Sequence, residues 1–298
     1  MAVVVPFVCK ERSMKKPFNL GELLEKNTTK QEIIEDTVKA QIASELSDLK
    51  QIIKNTVINE ASFMRELNRK TASAKQYTER IIQFGEGNFL RAFVDWIVWN
   101  MNQTIDFNSS VVVVQPIEKG MVDVLNGQDC LYHVNLQGLD KGEPVNRLTL
   151  IDVISRAINP YSRFDEYLKL AEQPEMRFVI SNTTEAGIVF DPTCRLTDKP
   201  CSSYPGKLTQ LLYHRFKTFN GDLSKGLIIF PCELIFLNGH KLKEEIYKYI
   251  DLWELGNDFK KWFEEACGVY ATLVDRIVPG FPHKDIEEIT EKLQYNDQ

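Results

Sequence analysis

The stretch Arg80–Trp99, RIIQFGEGNFLRAFVDWIVW, constrains this chain more than any other. Ile81 to Phe84 reads as a buried strand, Gly85 and Gly87 break it, and Phe89 to Met101 resumes with the apolar spacing of a helix. A strand, a glycine turn and a helix in that order can grip a phosphate, because the first N–H groups of a helix have no partner inside it. Gly85 would permit the tight turn and Gly87 would let the backbone approach a pyrophosphate. The third glycine of the usual fingerprint is absent, since Leu90 stands there. A bare GxG also suits an ordinary strand-to-helix turn; the flanking elements favour the dinucleotide reading.

Beyond this turn, strand and helix signals alternate. SVVVVQP (Ser110–Pro116) is a β-branched run of the kind buried on both faces of a sheet. CLYHVNLQGL and RLTLIDVI read as strands of an inserted hairpin. Helix SRFDEYLKLAEQ precedes strand RFVISNTT, and helix GKLTQLLYHRFKTF precedes strand GLIIFPCELIF. HKLKEEIYKYI and NDFKKWFEEACG read as two further helices. This alternation predicts an α/β, Rossmann-like, doubly wound and mostly parallel sheet.

The first 63 residues differ. Ile33, Ile34, Val38, Ile42, Leu46, Leu49, Ile53 and Val57 recur at three- and four-residue steps in a stretch without Gly or Pro. That predicts one amphipathic helix over Thr28–Val57 with Thr28 or Thr29 as its cap, forming an N-terminal extension (1–63) to the main domain (64–298). Such a helix packs on the following domain or on a copy of itself, so self-association is an expectation; a dedicated partner helix is the sharper alternative. The 298 residues carry a net charge of −6, which argues against a general nucleic-acid binder needing a basic face. No apolar run approaches membrane-spanning length, and in MAVVVPFVCK the positive charge follows the apolar run, the reverse of a secretory signal. A cytoplasmic location is expected. Cys9, Cys130, Cys194, Cys201, Cys232 and Cys267 contain no CxxC pair, so they read as reduced thiols and no metal site is expected.

Three polar clusters follow predicted strands, where ligands sit in open parallel sheets. Ile180–Ile188, ISNTTEAGI, suits contact with a cofactor or substrate, yet Asn182 and Thr184 are also capping types and Glu185 suits solvent. Pro231–His240, PCELIFLNGH, offers Asn238, which as a turn residue is unremarkable but which, buried, can donate to an oxygen gaining charge. His240 reads as a surface or cap residue. In Thr272–Pro282, TLVDRIVPGFP, Asp275 and Arg276 should point to opposite faces, so a structural ion pair with separate partners stands beside a role at the site. Where a ribose-binding carboxylate is usual at the end of the second strand, Gln115 and Pro116 stand instead. Gln115 can hydrogen-bond but leaves NAD against NADP open.

RIIQFGEGNFLRAFVDW, VVVVQPIEKG, LNGQDCLYHVNLQG, SNTTEAGI, PCELIFLNG and LVDRIVPGFP, in this order, resemble the blocks of the mannitol dehydrogenase family of polyol-specific long-chain dehydrogenases. The resemblance covers about Met64 to the last residue. It implies a NAD-dependent oxidoreductase reducing a keto sugar acid by hydride transfer, with a small-molecule sugar-acid substrate, no metal, no nucleic acid and no membrane. By this likeness Ile82, Gly85, Glu86, Gly87, Asn88, Phe89, Arg91, Gln115, Asn182 and Thr184 would line the cofactor. Glu185, Asn238 and Asp275 would support catalysis, Asn238 by holding the reacting oxygen. The family's glycine turn also lacks the third glycine. Two features depart from it: GVYA carries Val269 and Ala271 where relatives tend to show Phe and Asn, and the Lys-x4-Asn-x2-His pattern of a helical C-terminal domain is absent. The resemblance thus implies the cofactor domain without the catalytic lysine. The alternatives are a non-catalytic NAD-binding fragment or assembly protein, or a dehydrogenase of the same family acting on fructuronate or mannitol.

Overall fold

The computed structural model describes residues 39, 41–52, 65–184, 186–293 and 295–296. The chain separates into two units, Met1–Met64 and Arg65–Gln298. In the first, residues 41–52 are helical, as the periodicity predicts, and Ile42, Leu46, Leu49 and Ile52 along them are each more than half exposed. The rest of the expected Thr28–Val57 helix, apart from Lys39, lies outside the described residues.

In the second unit, a two-residue strand at Arg65–Glu66 that pairs in parallel with Tyr295–Asn296 precedes β1 (Thr78–Phe84), the short α1 (Asn88–Ala92) and α2 (Val94–Thr104). The single helix expected over Phe89–Met101 is therefore two, separated at Phe93, whose ψ of −72° bends the chain between them. Next come β2 (Ser109–Val114) and α3 (Val122–Gly127). The antiparallel hairpin of β3 (Tyr132–Asp140) and β4 (Glu143–Ile151) is inserted here, as the sequence predicts. The alternation continues with β5 (Ile154–Ile158), α4 (Phe164–Leu168), β6 (Phe178–Ser181), α5 (Tyr204–Thr218) and β7 (Ile228–Pro231). It ends with α6 (Asn238–Leu252), α7 (Asn257–Ala266), the two-residue β8 (Gly268–Val269) and α8 (Ile286–Leu293).

Six strands form one sheet in the order β5-β2-β1-β6-β7-β8, with every neighbouring pair parallel. Counted along the chain within that sheet, the order is 3-2-1-4-5-6, that of doubly wound dinucleotide-binding folds. The order reverses between β1 and β6, so their carboxyl ends, Phe84 and Ser181, lie paired at the switch point.

Alternation along the strands builds two cores. Ile82, Phe84, Val112, Val114, Val179 and Ile229 face one side, packed with Leu208, Leu211 and Leu212 of α5 and with Ile246 of α6. Ile81, Val111, Val113 and Ile180 face the other, against Val94 and Val98 of α2 and Leu125 of α3. Val111 to Val114 are fully buried, which explains why β2 reads as an unbroken apolar run. Each such side chain contributes roughly 1.5–3 kcal/mol of transfer free energy. The segment after β8 forms no ladder, yet exposure alternates along it: Thr272, Val274 and Arg276 are half-buried while Leu273, Asp275 and Ile277 are exposed. Asp275 and Arg276 thus point apart, as expected of extended backbone. No helix among the described residues is long and apolar enough to cross a membrane.

Candidate functional site

At the switch point the two glycines answer to different demands. Gly85 has φ +125°, and a Cβ there would lie 2.8 Å from the Asn182 carbonyl oxygen and 3.2 Å from Leu90 Cδ1. The protein itself requires glycine at this position. Gly87 sits just ahead of α1 with φ −68°, no side chain caps the helix, and among the described residues a Cβ there would meet nothing within 4 Å. Nothing in the fold demands glycine at 87. What its missing side chain leaves is open space in front of the first amides of α1, the cradle that a pyrophosphate needs. Leu90, in place of a third glycine, is 1% exposed and packs into the core on the α2 side.

The turn rests on a buried polar network. Gln83 Nε2 donates to the Gly85 carbonyl (3.2 Å) and to Asp95 Oδ2 (3.4 Å), and the Tyr132 hydroxyl lies 3.0 Å from the same Asp95 oxygen. That hydroxyl is also 2.9 Å from the Arg91 carbonyl. Burial pushes the Asp95 carboxyl up to about 7, against the pull of its hydrogen bonds from Tyr132 and Gln83. Arg91 is itself buried, donating to Asn88 Oδ1 (2.5 Å) and lying 5.3 Å over the Tyr132 ring. It braces Asn88, which is exposed beside Gly87. Phe89 is half-buried against Phe93. Ile82, expected to line the cofactor, is fully buried in the opposite core and supports the turn only from below.

The loop after β2 closes on itself. Gln115 is 2% exposed; its Nε2 donates to the Ile117 and Glu118 carbonyls (both 2.9 Å), and its Oε1 accepts from Val122 N (3.3 Å). The amide expected to meet a ribose is therefore committed to holding its own loop. Glu86 reaches the same loop, accepting from Met121 N at 3.4 Å, and burial raises its pKa. Gly120 is what admits both side chains, since a Cβ there would clash with Glu86 Oε1 and Gln115.

On the other side of the switch point, Glu233, 1% exposed just after β7, grips the end of β6. Its Oε2 accepts from the Ser181 hydroxyl, and its Oε1 accepts from the Thr183 amide and hydroxyl, all at 3.0 Å. Burial raises its pKa while these donors pull it down. Sequence reasoning passed over Glu233, although a lone acid within the apolar PCELIF was a visible signal. Asn182 Nδ2 donates to the Cys232 carbonyl (2.8 Å), and Thr184 is exposed with φ +74°. Glu185 lies outside the described residues.

Asn238 is 1% exposed, its Nδ2 donates to the carbonyls of Pro231 (2.9 Å), Glu233 (3.0 Å) and Thr272 (3.2 Å), and its Oδ1 accepts from Gly239 N and Thr272 N. The polar groups of this amide tie β7 to the 272 segment. Arg276 Nη1 donates to the Ala92 carbonyl (2.6 Å) and its guanidinium stacks 4.8 Å over Trp96, fastening the segment to the α1–α2 junction. It pairs with a carbonyl and two rings, not with Asp275, which is exposed. A cavity of about 970 Å³ opens beside α1, lined by Asn88, Arg91, Tyr132, Arg276 and Gly280 among others. His240 is exposed near the start of α6, as its surface reading requires.

The family model described as the mannitol dehydrogenase Rossmann domain matches residues 79–298. The chain belongs to the mannitol dehydrogenase family. Among curated proteins, an altronate oxidoreductase of Phocaeicola vulgatus is 82% identical over 234 residues, 78% of this chain and 49% of that protein. One from Bacteroides thetaiotaomicron is 81% identical over the same length, and one from Escherichia coli is 51% identical over 235 residues. The chain thus spans about half the length of the curated relatives it matches. A substrate-free D-sorbitol dehydrogenase superposes with a TM-score of 0.62 at 18% identity, covering 78% of this chain and 52% of that one. A Pseudomonas fluorescens mannitol 2-dehydrogenase, solved with NAD and D-mannitol, gives 0.60 at 17%, covering 76% and 50%. At these identities the likeness is one of fold, and the mannitol dehydrogenase Rossmann architecture is shared.

Proposed function

We propose that this chain binds NAD(H) at the β1–α1 turn and forms the coenzyme-holding half of an oxidoreductase that interconverts D-tagaturonate and D-altronate. The observation that carries this is the open space before α1 at Gly87, sited where the sheet order reverses. The identity of 81–82% to altronate oxidoreductases over the matched span supports the choice of substrate.

When bound, the nicotinamide supplies or accepts the hydride. The chain's own residues bind and orient. Amides at Gly87, Asn88 and Phe89 would receive the pyrophosphate charge at the start of α1. Arg91 holds Asn88 in place, and the Gln83–Asp95–Tyr132 network fixes the turn from beneath. Glu86 and Gln115 shape the adjoining loop. Asn182 and Thr184 border the crevice from β6, with Glu185 following them in sequence. Asp275 is solvent-facing. Reduction of the ketone leaves an alkoxide that needs a proton, and the general-acid lysine of the family's Lys-x4-Asn-x2-His pattern has no counterpart in this sequence. We therefore expect this chain alone to bind NADH and to turn over tagaturonate very slowly.

Purified full chain assayed for NADH oxidation with tagaturonate, fructuronate and fructose side by side tests this. Coenzyme binding with turnover at or near background is expected, and any residual rate should favour tagaturonate. Robust turnover would overturn the lysine argument, and a preference for fructose or fructuronate would overturn the substrate.

A further inference from the structure

The loop from Val189 to Ser203, between the end of β6 and α5, carries two cysteines that the sequence spaces too far apart to suggest a metal. The fold brings them together. Cys194 Sγ, Cys201 Sγ and an Asp198 carboxylate oxygen all lie within 4.8 Å of one another. Two thiolates bound to one zinc at ~2.3 Å in tetrahedral geometry stand about 3.8 Å apart, so these donors need move little to share an ion. We propose that Cys194, Asp198 and Cys201 form a structural site for a thiophilic divalent cation, zinc being the ion their chemistry suits best.

Three features of the loop favour this. The donor set is two soft sulfurs and one carboxylate, which suits zinc and disfavours magnesium or calcium. The backbone is already held: Gln210 Nε2 donates to the Leu196 (3.0 Å) and Asp198 (2.8 Å) carbonyls, and Gln210 Oε1 accepts from Cys201 N (3.3 Å). Trp253 Nε1 donates to the Cys194 carbonyl (3.0 Å), and Asp198 Oδ2 accepts from Arg195 N (2.7 Å). A loop so fixed lowers the ordering cost of bringing its donors together.

The third feature is charge. Cys194 and Cys201 are buried, and the nearby Lys207 is fully buried, its Nζ donating to the Ser202 carbonyl (2.7 Å) and the Tyr161 hydroxyl (3.0 Å). Two thiolates and one carboxylate around a dication leave a single negative charge, which the Lys207 ammonium balances. A neutral cluster is the arrangement that burial tolerates. With three protein donors the site keeps a fourth position for water, which sets it apart from closed structural zinc sites with four protein ligands. Zinc here would clasp the loop to the start of α5, on which Tyr204 and Leu208 pack the core.

The test uses the full chain, reduced, stripped with a chelator and titrated with Zn²⁺ and with Co²⁺ as a spectroscopic probe. One equivalent of zinc is expected, with sulfur-to-cobalt charge-transfer absorption on adding Co²⁺ and a rise in Tm on adding zinc. Cys194→Ser and Cys201→Ser should each weaken zinc binding by about 100-fold or more and lose cobalt absorption in step with the sulfur removed. Asp198→Asn should weaken binding and keep the sulfur-to-cobalt bands. Cys267→Ala, in the core away from the loop, should retain the full equivalent. Should the cysteine variants fail to fold, Asp198→Asn and the wild-type cobalt spectrum still decide. Absence of zinc uptake by the wild-type chain, uptake unaltered in Cys194→Ser, or an intact mass two hydrogen atoms light with a Cys194–Cys201 disulfide and no metal would each overturn the proposal.

Discussion

The two sides of the switch point treat their polar groups in opposite ways. At the end of β1, the chain leaves amides uncovered: Gly87 has open space where a side chain would be, and Asn88 is exposed. At the ends of β6 and β7, Glu233 and Asn238 satisfy each other's neighbourhoods completely, with Ser181, Thr183, Gly239 and Thr272 all engaged. Buried polar groups cost stability unless paired, so the closed side is scaffold. The open side leaves its amides to water, free to exchange it for a ligand. Good hydrogen-bonding residues are therefore poor guides to ligand contact when they are fully satisfied, and a glycine with nothing around it is a better one.

The largest effect should come from the closed side. Asn238→Ala orphans the Gly239 and Thr272 amides and should destabilise the chain by about 3 kcal/mol, read as a fall in denaturant midpoint. NADH affinity of the folded fraction should be unchanged; a selective loss of binding with full stability would erase the distinction between the two sides. Gly85→Ala comes next, at about 1–3 kcal/mol, because its φ of +125° and the 2.8 Å approach to Asn182 O exclude a methyl group. Here binding should fall together with stability. Gly87→Val should separate the two: stability within about 0.5 kcal/mol of wild type, since its φ is ordinary and its surroundings open, but NADH affinity at least tenfold weaker.

Beneath the open turn, pH supplies a further probe. The Asp95 carboxyl is raised to about 7 in the folded chain, against roughly 3.9 when unfolded. The folded state then holds the proton more tightly, so its contribution to stability is full below about pH 4, declines as pH rises, and is gone above about 7. Asp95→Asn should flatten the fall in Tm between about pH 4 and 7. A Tm that rises across this window in the wild type, with no change in the variant, would contradict the burial of an uncompensated carboxyl. The smallest effect is expected at Leu273, which is 98% exposed: Leu273→Asp should move stability by less than about 0.5 kcal/mol.

Much of the fold was legible because it rests on periodicity. The Val111–Val114 run, the hairpin and the alternating helices follow from patterns of two and of 3.6, and the parallel sheet follows from their succession. The break at Phe93 was hidden, since the apolar spacing runs on through it. At the site, Gly85 and Gly87 were readable as a turn, but their different reasons were not, because a close approach across strands leaves no mark in local sequence. The backbone contacts of Gln115 and Asn238 were hidden for the same cause: an amide looks alike in sequence whether it meets a ligand or its own backbone. The Cys194–Asp198–Cys201 cluster was missed because recognition of metal sites relies on short fixed spacings, and here a folded loop makes the approach.

The account's central claim is that the uncovered amides before α1 hold a dinucleotide. Isothermal calorimetry of NADH into the purified full chain measures this directly. A saturable heat with one site per chain, abolished by competition with NAD at sufficient excess and weakened by Gly87→Val, is the predicted result. A wild-type chain that is folded by circular dichroism and gives no heat with NADH would contradict it.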